Sequence, residues 1–288
     1  MQKIGLVMEG GAMRGLFTAG VIDVWMEHQL KFDSVTGVSA GATFGCNFLT
    51  NQPGRALRYC IRFCKDPRFC SVPSLLLTGD MFGAEFCYHT IPEELDPIDN
   101  DAFVKSGVPF YIVCTDVHTG KAVYHQCKDV ISRHELEWVR ASASMPLASK
   151  IVKAGQYEML DGGISDSIPL KFSEYKGNTR NVVILTQPEG YQKKPNSMMP
   201  AVRRVYRKYP NLIRAMQRRH IVYNRQLTYV AKAESSGTAL VIRPPRKLPV
   251  SHTTHNPAVL HETYLIGRET GELMLPQVLA FMEKARAK

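Results

Sequence analysis

The chain has 288 residues, 44% of them hydrophobic and 22% charged, and a formal net charge of +10. That apolar content excludes a disordered chain, Gly and Pro without a period exclude a collagen-like one, and no run approaches the roughly 18–20 apolar residues that span a bilayer. The apolar run Ile4 to Met8 is also shorter than a signal-peptide core of roughly 7–15 residues, so the sequence predicts a cytoplasmic protein.

The seven cysteines are odd in number and contain no Cys-x-x-Cys pair, which predicts reduced, mostly buried thiols and neither a disulfide framework nor a metal site. Charge is uneven along the chain. Tyr191 to Ala233 holds eleven Lys and Arg and no acid, so the other 25 basic residues balance 26 acidic ones. One segment carries the whole excess, and such a stripe favours an anionic partner.

In chain order, Lys3 to Met8 reads as a buried strand ending at a Gly pair, and Arg14 to His28 as a helix with one apolar face. Gly20 inside that helix costs about 1 kcal/mol against Ala, which a close packing contact would justify. Phe32 to Val38 reads as a strand and Ser39 to Leu49 as a helix of small apolar residues. Strand, helix, strand, helix is the pattern of a parallel sheet with helices on its faces. A helix is expected from Pro53 to Cys64, irregular chain over Asp66 to Asp101, and strands over Val108 to Thr115 and Lys121 to Cys127. A helix over His134 to Ser142 and a hairpin around Ala154-Gly155 follow, then strands over Asn181 to Thr186 and Ala239 to Arg243. Pro257 and Pro276 each read as the opening of a C-terminal helix. Beyond Pro210, Leu212, Ile213, Met216, His220, Tyr223 and Leu227 share one face of a cationic amphipathic helix.

Three motifs carry chemistry. Gly37-Val38-Ser39-Ala40-Gly41 is a Gly-x-Ser-x-Gly at a strand-to-helix junction. A serine hydroxyl is a weak nucleophile that needs a sharp turn and a nearby base, and flanking glycines leave room for the turn. The competing reading is a serine N-cap. Glu9-Gly10-Gly11-Ala12-Met13-Arg14-Gly15 lies between the first strand and first helix, where free N–H groups bind a phosphate or an oxyanion. Gly10-x-Ala12-x-x-Gly15 also comes near the dinucleotide fingerprint, with Asp33 as its ribose-binding acid. Leu160-Asp161-Gly162-Gly163 ends a strand in a carboxylate that can reach a hydroxyl as base, against the simpler reading of an Asp-Gly turn. An ordinary α/β-hydrolase triad would instead draw on His220, His252, His255 or His261. Glu9, Arg14 and Asp166 stay unassigned.

Taken together these motifs resemble the patatin-like phospholipase family in its bacterial type. The resemblance covers Ile4 to Leu170 and includes Arg14-Gly15, Ala19-Gly20-Val21, the serine elbow, Arg140 to Pro146, the Asp-Gly-Gly and Ile168-Pro169. It implies a three-layer α/β fold whose mostly parallel sheet has helices on both faces, and an acyl hydrolase of lipid esters with a Ser–Asp dyad and no cofactor. By that resemblance Ser39 is the nucleophile and Asp161 its base, with Gly10, Gly11 and Ala12 forming the oxyanion hole. Ala12 stands where the family commonly has a third glycine. Gly37, Gly41, Arg14, Gly15 and Gly162 complete the elbow and loops.

The organisation expected is a catalytic core over 1–190, with 191–288 adding the basic helical segment, a strand and C-terminal helices packed on the same domain. The substrate expected is a phospholipid, lysophospholipid or related acyl lipid. Tyr191 to Ala233 is expected to dock on an anionic membrane at its inner face, with the apolar face from Leu212 to Leu227 inserting shallowly. Nucleic acid is disfavoured because no binding motif accompanies the charge. A non-enzymatic binding module would explain the basic segment but leave three motifs to coincidence.

Overall fold

The computed structural model describes residues 2–287. Strand β1 (Ile4–Met8) is buried along its whole length, and its apolar run serves both faces of a central strand. It pairs in parallel with β2 (Ser34–Val38) on one side and β7 (Arg180–Ile184) on the other. β3 (Phe110–Asp116) extends the parallel sheet beyond β2, and β8 (Ala239–Ile242) extends it beyond β7. Beyond β3 the sheet turns antiparallel, through β4 (Ala122–Cys127) and the hairpin of β5 (Val152–Ala154) and β6 (Tyr157–Asp161). The expected class, a mostly parallel sheet between two helical layers, is the one found.

Alternation along each strand assigns the layers. Ile4, Leu6 and Met8 pack with α1 (Gly15–Glu27), α2 (Ala40–Thr50) and α10 (Pro257–Arg286). Val7, Val183 and Val241 point the other way, to Tyr223 and Val230 of α9 (Pro210–Ser235) and to Leu170 at the start of α7 (Leu170–Tyr175). The C-terminal third thus supplies a strand and one helix to each layer.

Helices α1 and α10 touch backbone to backbone. A Cβ on Gly20 would lie 2.2 Å from Tyr264 O, and one on Gly267 would lie 2.1 Å from Phe17 O. That contact is what Gly20 exchanges for helix propensity.

Three expectations change. Asp66 to Asp101 is not irregular: it holds α4 (Val72–Thr78), a wide π-helical turn over Phe86–Leu95 and the first two residues of α5 (Asn100–Ser106). Pro92 lies inside the π turn, whose looser winding tolerates a residue without an N–H donor. Pro276 does not start a new helix. α10 runs on through it, held by Gly271 on one side and buried Val278 and Met282 on the other. Most consequentially, the apolar face of α9 is not free to enter a membrane. Leu212 and Met216 pack with Val117, Leu160 and Ile164, and Tyr223 packs on the sheet. The remaining helices α3 (Arg55–Phe63) and α6 (Arg133–Ala143) bury Tyr59, Phe63, Trp138 and Val139 in the main core, and α8 (Met199–Val205) buries Val202 beside Leu212 and Met216.

Gly20→Ala gains about 1 kcal/mol of helix propensity but forces two backbones apart, which costs about 2–3 kcal/mol. Urea denaturation will show a net loss of stability.

Candidate active site

Strand β3 brings the two key residues together. β2 and β6 both pair with β3, Val38 opposite Val113 and Asp161 opposite Cys114. Because β4 occupies the other edge of β3 throughout, β2 and β6 lie end to end along one edge and run toward each other. The residue after β2 is Ser39 and the last of β6 is Asp161. Their side chains meet there: the Ser39 hydroxyl donates to Asp161 Oδ2 at 2.7 Å.

The turn at Ser39 is sterically determined. Ser39 adopts φ 54°, ψ −121°, a left-handed backbone that a non-glycine residue keeps only under constraint. A Cβ on Gly37 would lie 2.4 Å from Gly41 O, and one on Gly41 would lie 2.4 Å from Met8 O. Both glycines of the motif are therefore obligatory for the chain to reverse here. The Ser39 N–H donates to Ser142 Oγ at 2.8 Å, and the Ser142 hydroxyl donates to Val113 O at 2.6 Å. Ser39 Oγ does not cap α2, so the N-cap reading fails.

Asp161 divides its oxygens. Oδ1 accepts the Gly163 N–H at 2.7 Å, which is the Asp-Gly turn, while Oδ2 holds Ser39. Burial pushes its carboxyl above the usual range, and Arg219, the Ser39 hydroxyl and the Gly163 N–H oppose that rise. Arg219 Nε donates to Gly163 O at 2.6 Å and so braces the same turn. Gly162 is needed because a Cβ there would lie 2.1 Å from Val113 O.

The loop after β1 lies against Ser39. A Cβ on Gly10 would be 2.8 Å from Ser39 Cβ, and one on Gly15 would be 2.6 Å from Ala40 Cβ. Among the described residues none accepts a hydrogen bond from the N–H of Gly10, Gly11 or Ala12. Ala12 has φ 49°, the backbone region where a third glycine would be relaxed. Glu9 is buried beneath this loop, accepting from Thr186 N and from the Tyr223 hydroxyl, each at 2.6 Å. Desolvation raises its pKa. Arg14 Nη1 lies 3.4 Å from His252 Nε2.

Several sequence readings separate here. None of His220, His252, His255 and His261 hydrogen-bonds to Ser39 or Asp161, and His255 is engaged with Cys64 O. Asp33 accepts the Ile4 N–H at the start of β1, the far end of the strand from Gly10, so it is not placed for a ribose. Asp166 is held by Tyr124 and Gln226, away from Ser39. Ser142 figures in the sequence only within the Arg140 to Pro146 segment of the resemblance, and Arg219 only as one of the eleven basic residues of its segment; neither carries a signal there for its role at this site.

An apolar cavity opens at Ser39, walled by Phe44, Tyr59, Phe69, Tyr88 and Leu136. Much of this wall comes from the stretch over Asp66 to Asp101.

The Patatin-like phospholipase family model matches residues 6–172, and the chain belongs to that family. It is accordingly a serine ester hydrolase acting on acyl lipids. A domain of unknown function matches residues 209–283. An uncharacterized protein of Escherichia coli, YjjU, is 28% identical over 283 residues, covering 96% of this chain and 78% of that protein. Lysophospholipase nte1 of Emericella nidulans is 26% identical over 265 residues, 85% of this chain and 16% of that protein. Lysophospholipase NTE1 of Candida glabrata is 24% identical over 97% of this chain and 16% of its own length. The chain thus spans about a sixth of these two fungal relatives. VipD of Legionella pneumophila superimposes with a TM-score of 0.47 at 12% identity, covering 96% of this chain and 67% of that one.

Ser142→Ala leaves the buried Ser39 N–H without its acceptor. It should cost about 1–3 kcal/mol in chemical denaturation, the range for an orphaned buried donor.

Proposed function

We propose that the chain hydrolyses the carboxylic ester of a phospholipid or lysophospholipid through a Ser39–Asp161 dyad and an acyl-enzyme. The observation that carries this reading is the 2.7 Å hydrogen bond from Ser39 Oγ to Asp161 Oδ2 at the mouth of an apolar cavity. Asp161 takes the hydroxyl proton as Ser39 Oγ attacks the ester carbonyl. The free N–H groups of Gly10, Gly11 and Ala12 stabilise the oxyanion, each donor being worth about 10²–10³ in rate. Asp161 returns the proton to the departing alcohol, leaving the acyl group on Ser39. Asp161 then deprotonates water, which attacks the acyl-enzyme, and the returned proton regenerates the Ser39 hydroxyl as the fatty acid leaves. The raised carboxyl pKa of Asp161 brings it closer to that of the alcohol it must deprotonate, which makes it a stronger base than a solvated aspartate.

Ser39→Ala and Asp161→Asn should each lower ester hydrolysis by roughly 10³–10⁶-fold, with the double variant little worse than either. A fluorophosphonate probe will label Ser39 in the wild type. Because only ionised Asp161 can act as base, activity falls as pH drops through its raised pKa, so the acid limb of the kcat/KM profile lies above the usual carboxylate range. Full activity in Asp161→Asn would end the dyad reading.

The same reading places the protein on an anionic phospholipid surface, docked by charge and without α9 inserting. Arg203, Arg204, Arg207 and Lys208 are exposed, and no residue of the basic segment takes part in an ion pair among the described residues. Tyr206, next to them, receives the Leu147 N–H at 3.0 Å. That binds this face to the Met145–Ala148 turn, and Met145 lines the cavity. On the other side, Met81 N donates to Ala148 O and so joins α4, whose Leu76 and Leu77 are 80% and 86% exposed. Basic and apolar side chains thus flank one rim of the cavity.

Juxtamembrane basic residues contribute roughly 1 kcal/mol each, less as salt rises. Arg203→Glu with Arg204→Glu and Arg207→Glu should weaken sedimentation with anionic vesicles at least tenfold and leave hydrolysis of a small soluble ester unchanged. Vesicle binding untouched by the reversal would place the contact elsewhere.

A further inference from the structure

Beside the catalytic pair lies a second cavity, lined by Tyr191, Lys193, Lys194, Asn196, Arg219 and His220. Its wall is cationic and holds no carboxylate. Neither lysine nor Arg219 takes part in an ion pair among the described residues, and His220 Nδ1 is buried without a partner. The cavity adjoins the reaction centre through one short relay: Arg219 Nε binds Gly163 O, and the Gly163 N–H binds Asp161 Oδ1. A Cβ on Gly163 would lie 3.0 Å from Asp161 Oδ1 and 3.2 Å from an Arg219 guanidinium nitrogen, so the guanidinium borders the acid.

The cluster is held in place by unrelated parts of the chain. Lys193 stacks over the Tyr223 ring at 4.6 Å, and Tyr223 is fixed by its bond to Glu9. The Lys193 backbone N–H is anchored on Asn224 Oδ1 at 2.8 Å. Arg14, from the glycine loop, turns toward the same region, and its Nε is buried without an acceptor. Burial and the neighbouring charges of Arg219 and Arg14 pull the Lys193 ammonium down to about 8. Like charges crowded in a partly desolvated cavity repel, and the two carboxylates nearby are already engaged, Glu9 by Tyr223 and Thr186 and Asp161 by Ser39 and Gly163. A compact anion with several acceptor oxygens complements such a wall.

We propose that this cavity is a phosphate subsite of the active site, taking the phosphate ester of a glycerophospholipid or lysophospholipid whose acyl carbonyl lies at Ser39. Lys193, Lys194, Arg219 and His220 supply donors from several directions, as a tetrahedral phosphate requires. The subsite rests on the ester-hydrolase reading and adds to it the residues that hold the substrate's phosphate.

The test compares two substrates with the same acyl chain, 1-palmitoyl lysophosphatidylcholine and 1-palmitoylglycerol. Lys193→Met keeps the aliphatic stem over Tyr223 and removes the charge. It should lower the kcat/KM ratio of phosphate-bearing to neutral substrate at least tenfold, with the change in KM, and Lys193→Arg should restore it. Lys194→Met, at an exposed position, should act in the same direction more weakly and provides the readout if Lys193→Met does not fold. In parallel, sn-glycerol 3-phosphate and inorganic phosphate should raise the wild-type Tm and do so less in the lysine variants. An unchanged substrate ratio, or equal loss on both substrates, overturns the proposal. A Tm effect of inorganic phosphate that the variants lose while the ratio stays fixed means a free-phosphate site, which also overturns the lipid assignment. Wild type inert toward every ester and unlabelled by the fluorophosphonate would refute the hydrolase reading, while the Tm measurement would still report on the anion site.

Discussion

Everything at the site depends on β3 carrying two strands end to end along one edge. In a purely parallel sheet, the edge of β3 beyond the last residue of β2 would be empty and the serine elbow would face solvent. Here β6 enters that space from the opposite direction and stops opposite Cys114, one residue beyond the Val113 that pairs with the end of β2. Serine and aspartate therefore meet from strand ends, and the 2.7 Å hydrogen bond needs no bridging residue. Rigid backbone on both sides fixes its geometry. Thr115 reinforces the arrangement by donating to Asp161 O at 2.9 Å, which ties the acid's own backbone to β3.

The local strain at Ser39 follows from the same arrangement. A non-glycine residue in the left-handed region costs about 1–2 kcal/mol or more, so it persists only where the surroundings over-determine it. Here Gly37, Gly41 and Gly10 leave no other course for the chain, and Ser142 holds the N–H. The electrostatics are balanced in a similar way. Burial alone can raise a carboxyl by several pKa units and leave it protonated and useless as a base. Arg219 at the adjoining turn, the Gly163 N–H and the Ser39 hydroxyl favour the ionised form and limit that rise.

The elements that carry the chemistry were readable because steric need leaves a mark on composition. Gly37, Gly41, Gly10 and Gly162 are there because a Cβ would meet backbone, and strand β1 announces itself as an apolar run with both faces buried. What the sequence concealed falls into two kinds. Over Asp66 to Asp101, the Pro and Gly that break helical periodicity are absorbed by a π turn and by α4, a seven-residue helix too short to show a period. For α9 the period was clear but its meaning was not: an apolar stripe opposite basic residues fits a membrane or the face of a sheet equally well, and only the neighbouring strands decide. Val7, Val183 and Val241 present the missing partner surface, which a reading of α9 alone does not contain. Pro276 is the converse, a breaker residue overruled because α10 is packed on both sides of it.

That α9 is an interior wall changes what its charge is for. Its apolar face closes the far layer of the sheet, so the helix is fixed, and its polar side chains are fixed with it. Arg219 is then a brace on the Asp161 turn, and Tyr223, one turn on, holds Glu9 beneath the glycine loop. A single helix thus touches both halves of the reaction centre from outside the 6–172 region that defines the family. The two sides of Ser39 also differ in kind. Toward the stretch over Asp66 to Asp101 lies an aromatic and aliphatic chamber, and toward α9 a cationic one. On the function proposed above, an ester presented to Ser39 with its chain in the first and an anionic alcohol portion toward the second is oriented by the polarity of the walls before any contact specific to the carbonyl is made.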